Sequence, residues 1–176
     1  MGYIGSFAPK DGVHLLLDAV SILIPKLPKI KMRLIGHNPK LQELVAEVEN
    51  RGLQDYVEIT GTVTFQEVPW LLQECDTLIM NRDSSAFASC GYPIKLGEYF
   101  ACNKPILMSD GGGFSDDFED RNQVYKYEVD SPESLSNKVI YRYDNSGESD
   151  AVAKRGYIYA KDHFDSNKTG AFLANI

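Results

Sequence analysis

The chain lacks the short motifs that usually announce a phosphate-binding protein. Its 176 residues contain no G-x-G-x-x-G and no G-x-x-x-x-G-K-[ST], so neither familiar phosphate-loop fingerprint is available. Cysteine is scarce and odd in number: Cys75, Cys90 and Cys102 have no metal-ligand spacing, and they predict a reducing, cytoplasmic setting. No apolar run approaches the roughly 20 residues needed to cross a bilayer. Nor do the first residues show a basic segment leading into an apolar one, so no signal peptide is read there. Positive charge is short as well. With 18 Lys+Arg against 25 Asp+Glu, the net charge of −7 argues against a nucleic-acid-binding surface.

What is present fits one soluble globular domain. The apolar fraction is 43% and the charged fraction 24%, and the length suffices to bury a proper core. Strand and helix signals alternate: strands are expected over Gly2–Phe7, Lys31–Ile35, Tyr56–Ile59, Thr77–Met80, Ile106–Met108 and Val124–Val129. Helices are expected over Val13–Ile24 and Leu41–Arg51, the second ending at Gly52. Another runs to Glu74 behind the capping-box spacing Thr64-Phe65-Gln66-Glu67, and one opens at Ser131-Pro132. From about Glu148 to Ile176 two helices are expected, broken near Asp165-Ser166. Six strands alternating with helices predict an α/β fold, a Rossmann-like parallel sheet with helices on both faces. Ligands of such sheets bind beyond the carboxyl ends of the strands. The loops there, 5–12, 36–39, 61–63, 81–93 and 110–114, are rich in glycine or small polar residues.

The most informative segment is Gly91-Tyr92-Pro93-Ile94-Lys95-Leu96-Gly97-Glu98-Tyr99-Phe100-Ala101-Cys102-Asn103-Lys104-Pro105-Ile106. Pro93 sits where a helix can start, and Asn103-Lys104-Pro105 stops it. Ile94, Gly97, Glu98 and Ala101 share a helical face that is small and apolar but for one carboxylate. Burying that carboxylate without a partner is costly, which makes Glu98 a ligand-gripping candidate; the alternative is a surface pair with Lys95. Backbone N–H groups near Gly91 are suited to a phosphate, whereas Gly111-Gly112-Gly113 reads equally as a flexible turn. Among weaker candidates, His37 would approach a ligand or simply be exposed in its loop, and Asn81, Ser84 and Ser85 would hydrogen-bond a ligand or simply populate a loop.

The order of these features resembles the second, nucleotide-sugar-binding domain of a family 4 glycosyltransferase with the GT-B fold. The matching residues are Tyr3-Ile4-Gly5, Gly12-Val13 with Leu16-Leu17-Asp18-Ala19, Arg33-Leu34-Ile35-Gly36 with Pro39, and Ile59-Thr60-Gly61-Thr62-Val63. Leu71-Leu72, Asp76, the stretch Glu98 to Ile106, and Asp110-Gly111-Gly112 follow in register. The resemblance implies sugar transfer from a nucleotide diphosphate donor to a glycan or lipid-linked acceptor in polysaccharide biosynthesis, with retention of configuration. It implies no cofactor and no bound metal, the nucleotide sugar being substrate.

By that resemblance the donor site comprises Gly5, Ser6, Lys10, Cys90, Gly91, Tyr92, Pro93, Lys95 and Glu98, with His37 and Val63 as base or loop candidates. Glu98 would grip the ribose hydroxyls. The family's first glutamate, separated from the second by seven intervening residues, falls on Cys90; Pro93, Lys95 and Glu98 instead match a Pro-x-Lys-x-x-Glu subset. Two usual cations are replaced, by Ser6 and by Asp11, which leaves Lys10, Lys95 and backbone N–H groups to neutralise the diphosphate. Residues 1–165 would form the donor domain, and 166–176 a helix crossing back to an N-terminal acceptor domain missing from this chain. The fragment alone is expected to be inactive, and the full-length enzyme to lie in the cytoplasm or peripherally on the membrane. Two other readings stay open: a nucleotide-sugar epimerase or hydrolase half, and a non-catalytic degenerate transferase module.

Overall fold

Strand residues whose two faces are both covered read as continuous apolar runs, and Leu78-Ile79-Met80 and Ile106-Leu107-Met108 are of this kind. The computed structural model describes residues 1–85, 91–111 and 113–164. It arranges Gly2–Gly5 (β1), Met32–Gly36 (β2), Val57–Gly61 (β3), Leu78–Met80 (β4), Ile106–Asp110 (β5) and Tyr125–Glu128 (β6) in one sheet. All its pairings are parallel, and its order is β3-β2-β1-β4-β5-β6. The expected α/β Rossmann-like fold is therefore present.

Successive side chains of a strand point to opposite faces, which divides the core in two. Leu34, Ile79 and Leu107 pack with helices α1 (Val13–Leu23), α2 (Leu41–Asn50) and α5 (Pro132–Asp144). Their neighbours Ile35, Leu78, Met80, Ile106 and Met108 face the other way. There they meet α3 (Val68–Gln73), α4 (Lys95–Ala101) and the end of α6 (Ser146–His163).

Local signals explain most boundaries. Ser131 caps α5 by accepting the Ser134 N–H at 3.1 Å, with Pro132 next to it. Asn103 ends α4 in the left-handed region, at φ 51°. Glu67 accepts from both the backbone N–H and the hydroxyl of Thr64, each at 2.7 Å, so a turn precedes the helix proper at Val68. Gly36, at φ 136°, is required by crowding: a Cβ there would lie 1.9 Å from the Gly5 carbonyl oxygen.

Three expectations change. β1 stops at Gly5 instead of running to Phe7, because Phe7 turns into the left-handed region at φ 53°. α4 starts at Lys95, two residues after Pro93, whose carbonyl closes the first turn with Leu96 N–H at 3.0 Å. The face of α4 that enters the core carries Leu96, Tyr99 and Phe100; Ile94 is 89% exposed. The expected helix over 166–176 lies outside the described residues.

Gly156 in α6 is a packing requirement, since a Cβ there would meet Phe100 Cε1 at 2.7 Å and the Gln123 carbonyl oxygen at 2.8 Å. Helix propensity alone favours alanine by about 1 kcal/mol, but overpacking of this kind costs about 1–3 kcal/mol. Gly156→Ala is therefore expected to destabilise the chain, read as a lower midpoint in urea unfolding; a raised midpoint would contradict the packing.

Candidate functional site

β1 and β4 are neighbours in the sheet but pair only at Gly2↔Leu78, and beyond that point they separate. A strand edge left open this way must find other partners for its peptide groups. α4 supplies them: Tyr99 Oη accepts from the Ile4 N–H at 2.8 Å, and Lys95 Nζ donates to the Ile4 carbonyl at 3.0 Å. The gap is the point where strand order reverses, the usual ligand crevice of an open parallel sheet.

A cavity of about 660 Å³ opens at this crevice. It brings together Gly5, Ser6, Lys10, Gly91, Tyr92, Pro93 and Lys95 of the expected site, joined by Asp11, Arg82 and Ile94. A second cavity, of about 1050 Å³, lies at the amino ends of the strands between Met1, Lys31, Tyr56 and Thr77. Parallel sheets bind ligands at the opposite ends, where the smaller cavity and its cations are.

Asp11 organises the rim. It is 3% exposed, and its Oδ2 accepts from Ser6 Oγ at 3.1 Å and the Ala8 N–H at 3.2 Å. Its Oδ1 lies 3.7 Å from Lys95 Nζ, which also donates to Tyr3 Oη at 2.8 Å. Burial pulls the Lys95 pKa down to about 8 against the opposing pull of Asp11. Burial, reinforced by Asp11, pushes the Tyr3 hydroxyl well above its ordinary value. Thus the position where the resemblance implies a second cation holds a buried carboxylate that fastens the loop.

Arg82 escaped the sequence reading. It is the second residue after β4, is 8% exposed, and its backbone N–H donates to Ser109 Oγ at 2.9 Å. The sequence offered only a cation just beyond an expected strand; that the order reverses at this strand end is known from the topology alone. Asn81, expected to bond donor hydroxyls, is committed elsewhere. Its Nδ2 donates to the Asp11 carbonyl at 2.9 Å and the Gly12 carbonyl at 3.2 Å, and its Oδ1 accepts from Tyr127 Oη at 2.6 Å. Gly12, at φ 56°, leaves room for this: a Cβ would lie 2.4 Å from Asn81 Nδ2.

Glu98 stands one turn along α4 from Lys95, partly buried, its carboxylate making no hydrogen bond or ion pair among the described residues. Burial raises its carboxyl pKa, and Lys95 opposes the rise. It does not line the 660 Å³ cavity, nor do His37, which is exposed, and Val63, which packs on the second core. Tyr92 is 47% exposed and sets its ring edge-on to Phe114 and Phe164. Ser84 and Ser85 bond to Asp130 and Asp83. Cys75 and Cys102 are buried free thiols, and Cys90 lies outside the described residues. Among the described residues no cluster of His, Cys, Asp and Glu is arranged to hold a metal, and no helix is long and apolar enough to cross a membrane.

The depressed Lys95 pKa has a sign that can be checked. Between about pH 8 and the ordinary lysine range, the unfolded chain holds a proton that the folded chain has released. Stability from this group therefore rises with pH through that window. The difference in unfolding free energy between the wild type and Lys95→Met is expected to grow from pH 8 to 10 in favour of the wild type. A flat difference would show that Lys95 titrates normally.

The family profile described as glycosyl transferases group 1 matches residues 1–158. The uncharacterized glycosyltransferase MJ1178 of Methanocaldococcus jannaschii is 23% identical over 159 residues, 90% of this chain and 42% of that protein. The chitobiosyldiphosphodolichol beta-mannosyltransferase of Yarrowia lipolytica is 22% identical over 165 residues, covering 91% of this chain and 34% of that one. The chain thus spans less than half the length of either relative. In fold it matches the crystal structure of Anabaena Alr3699/HepE in complex with UDP-glucose, with a TM-score of 0.84 at 18% identity, over 99% of this chain and 48% of that one. A profile match over nearly the whole chain, on a six-stranded parallel sheet with a cavity at the reversal of strand order, places this protein in the glycosyl transferases group 1 family.

Proposed function

We propose that this chain is the nucleotide-sugar-binding half of a retaining glycosyltransferase that passes a sugar to a glycan or lipid-linked acceptor. The observation that carries the reading is the cavity between β1 and β4. Lys10, Arg82 and Lys95 line it with one carboxylate, Asp11, among the described residues, in a chain of net charge −7. Such local positive charge in an acidic protein suits a diphosphate, whose developing negative charge the cations would stabilise as the sugar leaves. Glu98, one helical turn away, would accept hydrogen bonds from the ribose hydroxyls, charge-assisted contacts stronger than neutral ones. The UDP-glucose bound to the similarly folded Anabaena protein supports this class of donor. The acceptor would be held by a further domain, in keeping with the longer relatives.

Calorimetric titration of the chain with UDP, GDP and dTDP is expected to give micromolar binding to at least one. Glu98→Ala should weaken it roughly 10- to 100-fold, the range for losing a charged hydrogen-bond partner. Heats indistinguishable from dilution with every nucleotide would refute the reading. The purified chain alone is expected to transfer no sugar, so multiple turnovers without another protein would overturn the division of labour. Steady release of free monosaccharide would favour the hydrolase alternative.

A further inference from the structure

Given the donor-binding reading, on which this step rests, we infer that Arg82 is the side chain that grips the diphosphate, while Lys95 positions the crevice without touching it. The usual cation positions are occupied here by Ser6, which donates to Asp11, and by Asp11 itself. Lys95 is the obvious replacement in the sequence, but its donors are already directed inward. An ammonium has three N–H groups. Those of Lys95 are directed at Tyr3 Oη at 2.8 Å, the Ile4 carbonyl at 3.0 Å and the Asp11 carboxylate at 3.7 Å. Its charge is moreover offset by Asp11, and the other cations lining the cavity are Lys10 and Arg82.

Arg82 has the better geometry of these two. It leaves the sheet at the carboxyl end of β4, on the crevice wall opposite β1. Its backbone is pinned on both sides: Arg82 N–H donates to Ser109 Oγ, and the following Asp83 N–H donates to the Lys10 carbonyl at 3.0 Å. A group set on a fixed strand end is preorganised in a way that a loop lysine is not. The guanidinium passes beside Gly91, where an added Cβ would sit 3.9 Å from Nη1. Its planar fork matches two phosphate oxygens at once, which an ammonium cannot do.

The test is calorimetry on the whole chain with uridine, UMP, UDP and inorganic pyrophosphate, repeated with guanosine and thymidine compounds if those bind. Arg82→Gln is expected to cut nucleoside diphosphate affinity roughly 10- to 100-fold, with nucleoside affinity unchanged and a shallower dependence on salt. Arg82→Lys should lose several-fold, because the charge remains but the fork does not. If the wild type binds UDP and Arg82→Gln binds it within twofold, the inference fails while donor binding stands. An equal loss for nucleoside and diphosphate would also overturn it, by assigning Arg82 a structural role. Should the glutamine variant unfold, Arg82→Lys decides: an unchanged ratio of UDP to uridine affinity refutes the assignment. Failure of the wild type to bind any diphosphate removes the donor reading, and this inference with it.

Discussion

The crevice exists because one peptide group is satisfied by side chains instead of by a strand. Past Gly2, β1 has no partner on its β4 side, and both polar atoms of Ile4 would be orphaned if the strands merely parted. Tyr99 and Lys95 of α4 take over as acceptor and donor. An unsatisfied buried backbone group costs about 1–3 kcal/mol, so the two contacts hold the gap open and the helix against it at the same time. The site and the fold share this joint. α4 is the helix that carries Glu98, and its position relative to β1 follows from the joint.

A second layer of polar residues fixes the rim. Asp11 ties Ser6 and Ala8 to the 3-10 turn at Pro9–Asp11, and Asn38 Nδ2 reaches across from the loop after β2 to the carbonyls of Ser6 and Phe7, each at 3.1 Å. Asn81 links the end of β4 to the start of α1. These residues do not face a ligand as reagents would; they spend their hydrogen-bonding capacity on one another's backbone. The outcome is a cationic recess in an acidic protein, with the excess acidic charge carried elsewhere.

Much of the architecture was legible because local chemistry and global fold agree. The apolar runs Leu78–Met80 and Ile106–Met108 became central strands, Asn103 ended its helix, and Ser131 with Pro132 opened another. Gly5, Lys10, Gly91 and Lys95, grouped by the resemblance, line one cavity. What escaped depends on topology. Residues 11 and 81 are far apart in sequence, so nothing local shows that Asn81 is consumed by Asp11 and Gly12. Arg82 becomes a site residue only once β4 is known to lie beside β1. The inward face of α4 was misread for a related reason: Tyr99 and Lys95 each carry a polar group to Ile4, and periodicity assigns such residues to water.

The bend at Phe7 has a consequence for how the recess receives a guest. A bulky residue held with positive φ stores strain, of order 1–3 kcal/mol, that the unfolded chain does not carry. Asn38 and Asp11 keep the bend in place, so the entropy of ordering this loop is spent during folding, before any guest arrives. The mouth of the recess is thus shaped in advance, and an incoming anion meets a cast instead of having to mould one.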